Sequence, residues 1–377
     1  MDSSYRADTL EGHLPSLDGW RAVAISLVLV EHLSLSLNPL LEAVGINRLN
    51  GPIPNLGQIG VQIFFGLSGF LITTKLINEF VKHQKISLKA FYIRRTFRII
   101  PPAVIFSAAV YVSSIVGQIS VPFYNIFSAL FFMANYTGST ASWYVGHFWS
   151  LAVEEHYYLI WPITFALISR PKLALKVLFF TGLSIALWRS IDYRLHLTGS
   201  SPAVFWGRTD IQADTIIYGS MAAVIIAAYG KTASAKFFDR RWLFVATIAM
   251  VSVASLPHLD WKVWMVLLSV RNIGIAAMIS ISVLGGMRGG YRFLQTAPLR
   301  YIGSISYSLY LWQQLFLVER EPATGWLSYL QLFPINIFLA FACAIASKRF
   351  VEEPAIALGK RVLQRASPKR DLVDLPT

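Results

Sequence analysis

The 377-residue chain is short of charge: Asp, Glu, Lys and Arg make up 14% of it, against roughly 25% in soluble domains. Acid is scarcer than base, 20 residues against 33, for a net charge of +13. Cysteine is nearly absent. Cys343 stands alone in an apolar run, which excludes an internal disulfide. No cluster of His, Cys, Asp and Glu has metal-ligand spacing, so no metal is expected. There is no Walker-type loop, dinucleotide fingerprint or Gly-x-Ser-x-Gly elbow. Any nucleotide would have to be held by basic side chains, not by a glycine-rich cradle. Internal repeats and low-complexity segments are missing too.

What fills the chain is apolar. Hydrophobic residues reach 55%, with Trp 11 and Phe 25. Runs of about 17 or more such residues recur, each long enough to cross a hydrocarbon core of roughly 30 Å. The expected class is an all-α polytopic membrane protein with about ten transmembrane helices, near 19–39, 60–81, 100–119, 149–168, 173–190, 213–230, 242–257, 262–285, 302–318 and 332–350. Residues 1–18 would be a cytoplasmic N-terminal segment, 19–356 one integral domain and 357–377 a cytoplasmic basic tail. The first run lacks a small-residue cleavage site and reads as a signal anchor.

The positive charge sits between spans, in 82–98, around Arg170 and Lys172, in 231–241, in 288–300 and from Lys348 onward. That pattern fits the positive-inside rule rather than nucleic-acid binding. The nearly neutral loops 40–58, 191–212 and 319–330 would then lie outside, with both termini in the cytoplasm. Residues 123–136 are apolar, but a span there would invert every later loop. They are expected to be re-entrant or interfacial, with an ordinary short eleventh span as the alternative.

Ionisable groups inside a membrane cost at least ~2.5 kcal/mol each on insertion scales and mark functional positions. Arg21 and His32 are eleven residues apart in RAVAISLVLVEH. At 100° per residue they return to within about 20° of one helix face, with a rise of ~16 Å. In HFWSLAVEEHYYLIWP, Glu154 and Tyr158 share a face, and Glu154 is expected at a depth similar to His32, while Glu155 and His156 are expected on a solvated or headgroup-facing side. Arg95 and Arg98, spaced i,i+3 in FYIRRTFRIIPP, suit phosphates, and Pro101-Pro102 would let the chain turn into the span. Gly60, Gly66 and Gly69 with Ser68 give a thin flank for close helix packing. Asp214 lies at the outer mouth of a helix. Ser306, Tyr307, Ser308, Tyr310, Gln313 and Gln314 put hydroxyls and amides into a span, where they line a cavity or join helices.

The order of these pieces resembles the membrane-bound acyltransferase-3 family, bacterial O-acyltransferases that modify surface glycans and some small molecules. LDGWRAVAISLVLVEH is similar to its first-helix Arg/Lys-x10-His motif, on Arg21 and His32. GVQIFFGLSGFLIT, RRTFRIIPP, the Trp-Ser-Leu-x-x-Glu segment on Trp149, Ser150 and Glu154, ADTIIYG, ISYSLYLWQ and RFVEEP (Glu352) follow in family order. The chain departs from the pattern at His156, Gln212 and Gln313, where members often have Gln, Arg and His. No esterase-like domain of the two-domain members is expected.

The resemblance implies an acyl-CoA donor, most often acetyl-CoA, as a substrate and no permanently bound cofactor. It implies a glycan or lipid-linked sugar acceptor, or a glycosylated small molecule, and a place in the bacterial inner membrane among membrane lipids. Arg21, Arg95 and Arg98 would bind the CoA phosphates. His32 would be general base or transient acyl carrier, with Glu154 orienting it or handling the acceptor proton. Trp149, Ser150, Asp214, Ser306, Tyr307 and Tyr310 would line the cavity or acceptor site. Lipopolysaccharide, exopolysaccharide, a lipo-oligosaccharide and a small metabolite all stay open as acceptors. The rival reading is a proton-coupled transporter or a glycan or lipid flippase with His32 and Glu154 as proton relay. A non-catalytic scaffold would leave the intramembrane histidine and carboxylates unexplained.

Overall fold

A computed structural model describes Tyr5, Leu10, Gly12 and residues 14–43, 55–137, 142–230, 241–255, 261–285, 290–318 and 322–366. Most of the expected N-terminal segment, residues 44–54 of the first neutral loop, the basic loop 231–240, residues 286–289 and 319–321, and tail residues 367–377 lie outside that description.

Regular structure among the described residues is helical, with no strand. The longer helices are α1 (Pro15–Ala43), α2 (Leu56–His83), α3 (Leu88–Ile115), α6 (Phe148–Ile168), α7 (Pro171–Leu195), α10 (Asp214–Tyr229), α11 (Arg241–Val253), α12 (Trp261–Leu284), α13 (Ala297–Phe316), α15 (Ile335–Ser347) and α16 (Glu353–Ala366). Short helices α4 (Phe123–Leu130), α5 (Trp143–Gly146), α8 (Pro202–Phe205), α9 (Thr209–Gln212) and α14 (Gly325–Leu330) lie between them. α2, α3, α7 and Val263–Leu284 of α12 are long and apolar enough to cross a membrane. A 28-residue helix such as α2 measures about 42 Å, more than the ~30 Å hydrocarbon core.

Two local expectations change. α3 begins at Leu88, capped by Ser87, whose side chain accepts from the Ala90 N–H. The basic stretch holding Arg95 and Arg98 is therefore part of the helix, not a loop before it. Pro101 and Pro102 lie inside α3 and do not turn the chain into it. Proline removes a helical N–H, which a membrane helix tolerates where its surroundings satisfy the backbone; separately, the Tyr307 hydroxyl donates to the Ile99 carbonyl at 2.7 Å. In the apolar 123–136 stretch, α4 has eight residues, about 12 Å of helix, too short to span. Phe123, Phe127 and Phe131 form an exposed run of neighbouring rings along it.

The chain divides into two compact units: Met1–Val28, Ile53–Ile86 and Ser150–Ser304 form the first, and Leu29–Pro52, Ser87–Trp149 and Ile305–Thr377 the second. In the first, α10 packs on α2, α7 and α12. The α2 glycines make this possible. A Cβ on Gly69 would collide with the Ile216 carbonyl, and one on Gly219 with the Gly66 carbonyl. Gly60 faces the Ala24 carbonyl, which a Cβ would meet at 2.5 Å. Around these contacts Trp20, Ile63, Leu67, Phe70, Ile275 and Ile279 form the buried core, and Trp20 Nε1 donates to Ser282 at 2.9 Å. In the second unit α3 packs against α4, α16 and the π-helical turn Lys348–Glu352. Phe106 of α3 meets the rings of His147, Phe148 and Trp312.

Candidate active site

Arg21 and His32 lie on α1, an uninterrupted helix from Pro15 to Ala43. The eleven-residue spacing is therefore carried by regular helix. Arg21 pairs with Asp18 one turn earlier, at 3.3 Å, with a quarter of its side chain exposed.

His32 belongs to the second unit and is partly buried. Its Nδ1 lies 2.6 Å from Gln313 Oε1 on α13, and its ring stands 5.1 Å from that of Trp143, at 59°. Gln313 is fully buried. One helical turn away, the Tyr310 hydroxyl donates to the His147 carbonyl at 3.3 Å. Ser306 is buried, and Ser308 donates to Glu352 at 3.2 Å. Thus α13 presents a polar edge within this unit: Tyr307 to α3, Ser308 to the π-helical turn, Tyr310 to the α5–α6 junction and Gln313 to α1. Arg95 and Arg98 are half-buried on α3, and Trp149 is half-buried at the start of α6.

Glu154 belongs to the first unit. Its two oxygens accept from Ser68 at 2.9 Å and Tyr158 at 3.1 Å. The Tyr158 bond follows from i,i+4 spacing, while the Ser68 bond comes from the glycine-rich flank of α2. Ser150 is buried. His156 is half-buried, with Nδ1 2.7 Å from Thr209.

Asp214 is completely buried. Arg189 donates to one oxygen at 3.0 Å and Asn272 to the other at 2.9 Å. Arg189 also donates to the Ile211 carbonyl and to Ser269, and buried Arg271 lies in the same electrostatic neighbourhood. The carboxylate thereby ties α7, α10 and α12 together. Beside it, Arg208 bridges Asp192 at 2.7 Å and Asp210. Burial would raise the Asp210 pKa, but the Arg208 and Trp188 hydrogen bonds and the Arg208 charge outweigh that and hold it below the ordinary carboxylate range. Gln212, where an arginine was the family expectation, accepts from Gln62 at 2.6 Å.

Sequence reasoning did not single out Trp143, Arg189 or Asn272. Their partners lie far along the chain, and no local spacing advertises them. Among the described residues no group of three or more His, Cys, Asp or Glu could hold a metal ion.

A family model described as "Acyltransferase domain", of the acyltransferase-3 type, matches residues 14–347. Peptidoglycan O-acetyltransferase OatA of Listeria monocytogenes is 29% identical over 385 aligned positions, covering 91% of this chain and 56% of that protein. O-acetyltransferase OatA of Staphylococcus aureus is 28% identical, covering 91% and 57%. The putative peptidoglycan O-acetyltransferase YrhL of Bacillus subtilis is 27% identical, covering 94% and 56%. The chain thus spans a little over half the length of these relatives. No solved structure matches it significantly.

Proposed function

The chain belongs to the acyltransferase-3 family, and from that membership we propose that it is a multi-pass membrane O-acetyltransferase acting on a hydroxyl of cell-wall glycan, with acetyl-CoA as donor. The observation that carries the reading is the family match over residues 14–347. The acetyl group and a peptidoglycan-like acceptor rest on the relatives, whose names state that activity. In this reading ten spans cross the cytoplasmic membrane, both termini face the cytoplasm, and residues 123–136 lie at the interface.

The basic side chains assigned to the CoA phosphates are Arg21 on α1 and Arg95 and Arg98 on α3. A guanidinium offers paired N–H donors to phosphate, which suits a protein without a glycine-rich cradle. His32 is the general base. It takes the proton of the sugar hydroxyl as that oxygen attacks the thioester carbon. A C–O bond forms, the C–S bond breaks, and the proton passes to the departing thiolate to give CoA–SH. Glu154 is assigned to the acceptor hydroxyl, and Trp149, Ser150, Ser306, Tyr307 and Tyr310 to the acceptor's surroundings. Asp214, with both oxygens engaged, braces the first unit on the acceptor side.

The test is mass spectrometry of cell-wall glycan fragments from cells with and without the gene. The expected result is the loss of one acetyl mass from a defined sugar. Unchanged acetylation of every glycan fraction would overturn the proposal.

A further inference from the structure

The polarity of a hydrogen-bond chain is set by the member that cannot change roles. Here that member is the Trp143 carbonyl, a backbone acceptor. Gln314 must turn its NH2 toward it, and Nε2 lies 2.8 Å away. Gln314 Oε1 then accepts from Gln313 Nε2 at 2.9 Å. Gln313 Nε2 also lies 3.4 Å from the Tyr310 carbonyl, a second group that only accepts. Gln313 is left to present Oε1 to His32 Nδ1, at 2.6 Å. An amide oxygen cannot donate, so Nδ1 carries the proton, and in the neutral ring Nε2 holds the lone pair. The chain is closed at its far end as well, where Trp143 Nε1 donates back to the Gln314 carbonyl at 3.1 Å. Gln313 is wholly buried, which removes water as a competing partner.

We infer that Gln313 is a positioning residue, which holds His32 as its Nδ1–H tautomer and so makes Nε2 the nitrogen that accepts the acceptor-hydroxyl proton. The inference deepens the acyl-transfer reading and rests on it for the role of the base. Within this unit the amide chain through Gln314 to Trp143 is what holds the Gln313 amide in that orientation.

The test combines a spectroscopic and a kinetic measurement on the full-length, detergent-solubilised protein. In 15N-histidine spectra, with the His32 signal identified by its loss in His32→Gln, the wild-type ring shows Nδ1 protonated and Nε2 bare. In Gln313→Leu the two tautomers mix. With acetyl-CoA and a glycan fragment, Gln313→Leu lowers kcat about tenfold while KM for acetyl-CoA stays within twofold, on the order of one lost hydrogen bond plus looser orientation. A wild-type ring protonated on Nε2 overturns the inference. So does a Gln313→Leu protein with wild-type melting temperature and wild-type kcat. Transfer that requires His32 but ignores Gln313→Leu overturns the inference alone. An Nδ1–H ring in a protein that never releases CoA supports the tautomer assignment and overturns the acyl-transfer reading.

Discussion

Replacing Asp214 by asparagine isolates the electrostatics of the first unit. The carboxylate is fully buried, and Arg189, which pairs with it, is 2% exposed. Arg271, 3% exposed, lies in the same field. Asparagine fits the volume and can still accept from Asn272, so packing changes little. What disappears is the negative charge opposite two buried guanidinium groups. Breaking a buried pair by removing one partner costs about 3–5 kcal/mol, because the remaining charge stays desolvated. At roughly 2 °C per kcal/mol, as for larger domains, the melting temperature should fall on the order of 10 °C. The assay is thermal unfolding of detergent-solubilised protein, followed by intrinsic tryptophan fluorescence. Replacing Asp214 and Arg189 together by leucine should destabilise less than Asp214→Leu alone, since one buried guanidinium rather than two then lacks the Asp214 charge. A drop of less than about 2 °C for Asp214→Asn would refute the reasoning, and so would a double variant worse than the single one.

Two further outcomes follow from the geometry and a third from the proposed donor site. Gly69→Val should yield little folded protein by size-exclusion chromatography of solubilised membranes, because even a Cβ collides with the Ile216 carbonyl, and overpacking costs about 1–3 kcal/mol or more. The Asp210 pKa is depressed when folded, so its ion pair stabilises the protein above the unfolded-state value near 4 and is lost as pH falls through the folded value. The melting-temperature gap between wild type and Asp210→Asn should therefore be constant at neutral pH and close below about pH 4. Arg95→Ala and Arg98→Ala should each raise KM for acetyl-CoA roughly tenfold with kcat nearly unchanged, in line with lost hydrogen bonds to a charged group, and added salt should weaken wild-type binding more than that of the variants.

What local spacing could express was legible in the sequence. The Arg21–His32 interval survives because α1 is unbroken. The i,i+4 relation of Glu154 and Tyr158 appears as a hydrogen bond, and the α2 glycines lie where helix backbones approach. Tertiary partners were not legible. Gln313 and Gln314 could be read as amides inside a span, but the His32 partner is 281 residues away in sequence. Asp214 looked like a residue at a helix mouth because nothing near it in sequence announces Arg189 or Asn272. Pro101-Pro102 misled for a related reason. The rule that proline ends helices assumes nothing else satisfies the backbone, and inside a membrane bundle that assumption is relaxed.

The central claim is that His32 is the base of an acetyl transfer from acetyl-CoA. Its most direct test is CoA release by membranes containing wild-type or His32→Ala protein, given acetyl-CoA and a peptidoglycan fragment. The account predicts acceptor-dependent release by the wild type and release at the background of protein-free membranes for His32→Ala, with both proteins folded and equally abundant. A folded His32→Ala protein that transfers acetyl at the wild-type rate would contradict it.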